Sequence, residues 1–181
     1  MKNTYMGSNE ELRLENINAR KFVLEYNNLD PADTKLHFEY LKGFLGDIGE
    51  GTRILAPFHC DRGNKIHIGK KSFINYGATI LDMTDVYIGD DVRIAPNVSI
   101  YTVWHPLNWK EREARVCYTD EVYIGDHTWI CGDVTILPGV KIGKRCVIGA
   151  GSVVTHDIPD DSLAYGNPCQ VIRKLEENEN E

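Results

Sequence analysis

Within the stretch TVWHPLNWKEREARVCYTDEVY stands a single histidine, His105, followed by Pro106, which limits the freedom of the backbone there. Neutral imidazole is well suited to accepting a proton near neutral pH, so His105 is a candidate general base, with a solvated loop histidine as the plain alternative. The other titratable clusters point away from metal and disulfide chemistry. Cys60, Cys117, Cys131, Cys146 and Cys169 form no CxxC pair and are odd in number, so they read as reduced thiols, several of them small core residues. His37, His59, His67 and His127 read as structural or solvated, and no two histidines have the H-x4-H spacing of a three-histidine zinc site.

The elements that must position His105 declare themselves through a period of six. Ile124, Ile130, Ile136, Ile142, Ile148 and Val154 fall on every sixth position. Ile68, Ile74, Ile80 and Val86 form an earlier run, and Ile88, Ile94 and Ile100 another, two residues out of register with it. Four residues beyond most of these stands something small, such as Ser72, Ala78, Val92, Val98, Thr128, Val134, Val140, Cys146 or Ser152. This is the pattern of a parallel β-helix: each hexad gives one short strand and one corner, three hexads close a triangular coil, and coils stack at about 4.8 Å. Gly69, Gly89, Gly125, Gly143 and Gly149 follow the aliphatic residue and are expected to ease the corners. The period lapses between Ile100 and Ile124, so residues 102–121 are expected to project as a loop, the kind of segment where function concentrates.

Residues 1–50 have helical character instead. Ser8 and Glu11 read as a capping box for a helix over 8–27, with Leu14, Ile17, Lys21 and Leu24 on one face. A second helix is expected to open at Asp30-Pro31, to carry Leu36, Tyr40, Leu41, Phe44 and Leu45 as its apolar stripe, and to end at Gly46 or Gly49. Such short helices must lean on the rest of the chain or on a neighbouring subunit.

Bulk properties set the outer limits. The 181 residues suit one domain, and 42% hydrophobic with 26% charged residues excludes wholesale disorder, leaving EENENE over 176–181 as the expected disordered tail. A net charge of −7 disfavours a nucleic-acid binder. No apolar run reaches the roughly 18 residues that span a bilayer, and the N-terminus has no secretory core, so a cytoplasmic protein without membrane contact is expected.

Residues 51–175 resemble the hexapeptide-repeat acyltransferases, and the whole chain resembles their maltose/galactoside O-acetyltransferase branch. The resemblance is carried by NKIHIGKKSFINYGATILD (64–82), VYIGDDVRIAPNVSIYTVWHP (86–106), VYIGDHTWICGDVTILPGVKIG (122–143) and VIGAGSVVTHDIPDDSLAYGNPCQVIRKL (147–175). It implies a mainly β fold, a left-handed parallel β-helix with a short N-terminal helical cap, and a homotrimer with active sites between subunits. It also implies acetyl-CoA as co-substrate, no metal, and a sugar hydroxyl as acceptor. By position in the family's motifs, His105 is the catalytic base, and Asp61, Asn75 and Asp82 face the acceptor. Trp129, Ala150, Thr155, His156, Gln170 and Arg173, with Lys174, attend coenzyme A, and the N–H of Gly132 meets the oxyanion.

Several positions depart from the family pattern. Arg62 replaces a Tyr, Trp104 a small residue, His156 a Lys, and Gln170 a frequent Arg. An enzyme acting on streptogramin-type xenobiotics is the nearest alternative, and a non-enzymatic β-solenoid binding module a remoter one. The module has no use for the His-Pro loop or the basic C-terminal stretch.

Overall fold

The computed structural model describes residues 3–6 and 10–176. Its centre is a triangular prism of parallel strands, and the isoleucine period explains it directly. In Ile66–Ile68 the two isoleucines are buried while His67 between them faces outward. Successive coils then pair in register, so that Ile48, Ile68, Ile88, Ile124 and Ile142 form one internal ladder. The first face thus comprises Asp47–Ile48, Ile66–Ile68, Val86–Ile88, Val122–Ile124 and Lys141–Ile142. The second comprises Arg53–Ile54, Phe73–Ile74, Arg93–Ile94, Trp129–Ile130 and Val147–Ile148, and is extended by a hairpin of Ser162–Gly166 and Cys169–Lys174. The third comprises Phe58–Cys60, Ala78–Leu81, Ser99–Tyr101, Thr135–Ile136 and Val153–Val154.

Small polar residues at the inner corners earn their place by hydrogen bonding. Ser72 Oγ donates to the Gly89 carbonyl at 2.8 Å and Thr128 Oγ1 to that of Gly143 at 2.8 Å, so buried hydroxyls satisfy carbonyls of the next coil. The glycines after the isoleucines do not supply unusual backbone angles, contrary to expectation. The positive φ at these corners belongs to Lys71, Asp91, His127, Arg145 and Asp161. The glycines are small because coils touch there: a Cβ on Gly125 would lie 2.6 Å from the Gly143 carbonyl carbon.

The two-residue slip in the period has a structural meaning. Neighbouring coils are twenty residues apart from Ile48 to Ile68 to Ile88, but eighteen from Ile124 to Ile142. The extra residues lie at one corner, between the third face and the first, after Cys60 and again after Leu81. In the next coil the same corner holds the whole projecting segment. That segment is more ordered than an open loop: Val103–Trp104 and Val116–Thr119 pair antiparallel, and a short helix, α3 (Trp109–Glu113), stands at the tip, capped by Asn108. Asn3–Met6 adds a third strand on Val116–Thr119. Thr102 at its base is buried, its hydroxyl donating to the Leu81 carbonyl at 2.7 Å.

Two helices close the first-coil end. The first, α1 (Glu10–Tyr26), buries Ala19, Val23 and Tyr26, whereas Leu14 and Leu24 of the expected stripe are exposed. Aromatic packing decides the face: Phe22 stacks on Phe44 at 3.6 Å, and the Tyr26 hydroxyl donates to the Ile54 carbonyl at 2.6 Å. Ser8 of the expected Ser8–Glu11 capping box lies outside the described residues. The second helix, α2 (Thr34–Lys42), starts later than expected, because Asp30 Oδ1 binds the Ala32 N–H in a turn and Asp33 is the N-cap, accepting from Leu36 N at 2.9 Å. It ends at Gly43, with Leu41 and Leu45 buried on the prism and Leu36 exposed. All five cysteines are free, Cys146 and Cys169 buried.

Candidate active site

The wide edge between the third and first faces carries Asp61, Asp82 and the His105 hairpin on three successive coils, and Thr155 and His156 two coils further on. Asp82 is fully buried and works as a clasp for the corner above it. Its Oδ1 accepts from the backbone N–H of Asp61 and Arg62, both at 2.9 Å, and its Oδ2 from Gly63 at 2.6 Å. Burial pushes its pKa up to about 6, against the lowering pull of those N–H groups. With both oxygens so engaged, Asp82 holds the shape of this edge. Asp61 is partly exposed, and burial raises its pKa while Arg20 and Arg62 oppose the rise. Arg62 is folded in and ion-paired with Glu15 of α1 at 2.6 Å, so the helical cap grips this corner from outside.

His105 is exposed in the isolated protomer and leaves the end of Val103–Trp104. Its Nδ1 lies 3.4 Å from Cys117 Sγ on the opposing strand. Trp104 rests against Tyr118, ring centroids 5.7 Å apart, and Arg112 donates to the carbonyls of Pro106 and Leu107, both at 2.7 Å. Nothing in the spacing of His105 and Cys117 announces their contact. Only the antiparallel turn of the hairpin creates it.

The remaining candidates stand elsewhere in the protomer. Asn75, Gly132 and Ala150 occupy the edge between the second and third faces, and Trp129 points outward beside it, 51% exposed. Asn75 is half-buried and its carbonyl oxygen accepts from the Tyr76 N–H at 2.9 Å. Among the described residues the Gly132 N–H meets no acceptor, and a Cβ there would make only an ordinary 3.5 Å contact with the Pro96 carbonyl. Gly149 is forced by Tyr165, whose Cβ would lie 2.7 Å from an added methyl, while Gly151 has φ of +69° and open space around it. Thr155 Oγ1 and His156 Nδ1 are 2.8 Å apart. Gln170 and Arg173 are exposed on the C-terminal hairpin.

The predicted residues therefore form two groups at opposite margins of the third face, with Gln170 and Arg173 apart from both on the hairpin that extends the second face. A cavity of about 390 Å³ in the protomer, between α2 and the second-face strand Arg53–Ile54, is lined by residues such as Leu29, His37, Phe38 and Pro57 and holds none of them. Among the described residues no cluster of three or more His, Cys, Asp or Glu side chains is placed to hold a metal, and no helix is long and apolar enough to cross a membrane.

Comparison with known proteins agrees with the fold and the repeat. Residues 121–156 match the family described as bacterial transferase hexapeptide (six repeats). The chain is 37% identical over 176 residues to a galactoside O-acetyltransferase of Lactococcus lactis, covering 97% of this chain and 85% of that enzyme. It superposes on the crystal structure of a maltose O-acetyltransferase from Clostridium difficile with a TM-score of 0.94 and 41% identity, over 96% of this chain and 93% of the other. A galactoside acetyltransferase in complex with coenzyme A gives a TM-score of 0.92 at 35% identity, over 96% and 86% of the two chains. The coil is thus the left-handed one that the resemblance implies.

Proposed function

Because the chain belongs to the hexapeptide-repeat acyltransferases, in their maltose/galactoside O-acetyltransferase branch, we propose that it moves the acetyl group of acetyl-CoA to a sugar hydroxyl, using His105 as general base. Maltose, glucose and galactosides are the acceptors in view. The observation that carries this reading is the exposed imidazole on a strand-braced hairpin, on the same edge of the prism as Asp61. Coenzyme A as the carrier is supported by the related galactoside acetyltransferase that holds it.

The site is completed by a second copy of the chain, in a homotrimer. One margin of the third face carries the base, the other the free N–H of Gly132 and the exposed Trp129. Bringing the first margin of one protomer against the second margin of its neighbour unites them. Asn75 and Ala150 join the site from the neighbour's side; His156, Arg173 and Lys174 gather toward the phosphates, with Thr155 and Gln170 alongside.

The reaction then needs no covalent enzyme intermediate. The sugar oxygen attacks the thioester carbonyl carbon while His105 takes its proton. The Gly132 N–H stabilises the oxyanion. As the C–S bond breaks, the thiolate of coenzyme A leaves and receives that proton from the imidazolium. His105→Ala is expected to lower kcat about 10²–10⁴-fold without changing the oligomeric mass, because the exposed side chain supports no core. Wild-type acetyl-CoA consumption by that variant, with maltose, glucose and a methyl galactoside as acceptors, would overturn the assignment.

A further inference from the structure

We infer that Cys117 is a positioning residue for the base: its sulfur holds the Nδ1–H of His105 and so keeps Nε2 bare for the acceptor proton. The inference rests on the reading of His105 as base. It adds a residue that no motif pointed to.

A neutral imidazole carries one proton on either nitrogen, and the partner of one nitrogen sets the state of the other. Among the described residues, the hydrogen-bond partner of His105 is Cys117 Sγ, 3.4 Å from Nδ1. A thiol is both a weak donor and a weak acceptor, so two arrangements compete. If sulfur accepts from Nδ1–H, Nε2 is unprotonated and the base is ready. If S–H donates to Nδ1, the proton sits on Nε2 and the base is blocked. During turnover the first arrangement gains further, because the imidazolium is an Nδ1–H donor whose bond to the polarizable sulfur strengthens with its charge.

The backbone makes this contact persistent. Trp104 pairs with Tyr118 and Val103 with Thr119 across the hairpin, and Tyr5 pairs with Cys117 on the outer strand. Cys117 is therefore on the middle strand of three. The charged groups on the packed elements are Lys110, Glu111, Arg112 and Glu113 of the short helix and Arg115 at its end, and none of them is bonded to His105 or Cys117. Arg112 is spent on the Pro106 and Leu107 carbonyls, and Glu111 accepts from the Tyr118 hydroxyl at 3.2 Å and from Asn108 at 3.3 Å. Lys110 lies over the Trp109 ring, and Glu113 completes α3.

Two measurements test the role, one of them independent of the acceptor. The ¹⁵N-coupled NMR pattern of the His105 ring at pH 8 is expected to report Nδ1–H in the wild type and a shift toward Nε2–H in Cys117→Ala. In the kinetic test, with acetyl-CoA and the acceptor panel above, Cys117→Ala is expected to lower kcat about 3–10-fold with little change in KM, the scale of one weak hydrogen bond. Cys117→Ser restores most of the loss. Cys117→Asp, which puts an anion against Nδ1, moves the acid limb of the kcat/KM profile to higher pH by about one unit. An Nε2–H wild-type ring, or an unchanged ring and pH profile across the Cys117 variants, overturns the inference. If those variants behave so while His105→Ala is inactive, the base survives and only the positioning role falls. If His105→Ala is fully active, the proposed function itself fails.

Discussion

Adding one methyl group at Gly63 tests how the helical cap holds the acceptor-side edge. Gly63 has φ of +81°, and a Cβ there would lie 2.0 Å from Phe44 Cε1 and 2.5 Å from Cζ. Phe44 cannot simply retreat, since its ring is stacked 3.6 Å from Phe22 with the planes 10° apart. Nor is the backbone loose: Gly63 N–H binds Asp82 at 2.6 Å and its carbonyl receives Ile66 N–H at 3.0 Å. A left-handed non-glycine residue costs about 1–2 kcal/mol. Overpacking against a fixed ring adds about 1–3 kcal/mol. Gly63→Ala is thus expected to destabilise by about 2–5 kcal/mol, read by urea unfolding at one fixed protomer concentration. In a Phe44→Ala background the steric part should vanish, leaving about 1–2 kcal/mol for the backbone and a coupling of about 1–3 kcal/mol between the two sites. A cost that is the same in both backgrounds, or below about 0.5 kcal/mol in the wild type, would refute the buttress described here.

Ile136 is fully buried between Ile100 and Val154, so Ile136→Asp should cost about 4 kcal/mol or more. Lys141→Ala, which loses only a cation–ring contact of 5.2 Å to Tyr123, should cost under about 1 kcal/mol; equal melting of the two would contradict the inside–outside assignment. At Asp85, burial raises the carboxyl pKa, but His67 at 2.9 Å and Lys65 at 3.4 Å outweigh it and hold it below its ordinary value. Its stabilising contribution is therefore full above the unfolded carboxylate range and lost as pH falls through the depressed value, so Asp85→Asn should flatten the drop in Tm between pH 5 and 3; parallel melting curves would count against it. His156→Lys, which brings a fixed cation to the proposed phosphate end, should tighten coenzyme A about 2–5-fold at pH 8 by calorimetry, and an unchanged Kd would place His156 away from the phosphates.

What the sequence disclosed followed from how local each signal is. The isoleucine ladders are periodic and each rung is set by its own hexad, so the coil, its faces and the projecting segment could be read directly. The two-residue slip was visible too, though its cause, a corner widened on consecutive coils, needed the structure. The helices were harder. Leu14 and Leu24 make as good a stripe on paper as Ala19, Val23 and Tyr26. The choice was made by Phe22, Tyr26 and Phe44 meeting partners far along the chain. Asp82 matched an acceptor-side position, and its carboxylate also accepts from three N–H groups about twenty residues earlier. No linear pattern encodes which lone pairs a neighbouring coil will occupy. The contact of Cys117 with His105 is hidden for the same reason.

The uneven corner has an evolutionary corollary. The ladders constrain strand spacing along the axis but not how much chain spans the edge between the third and first faces, which holds two extra residues on two coils and a whole hairpin on another. The opposite corners have no such slack; there, glycines such as Gly125 sit against the backbone of the next coil. Length changes can therefore accumulate along one seam without dislocating the stack. The seam behaves as a modular insertion site, where new recognition surface can be spliced in while the scaffold that carries it is inherited unchanged.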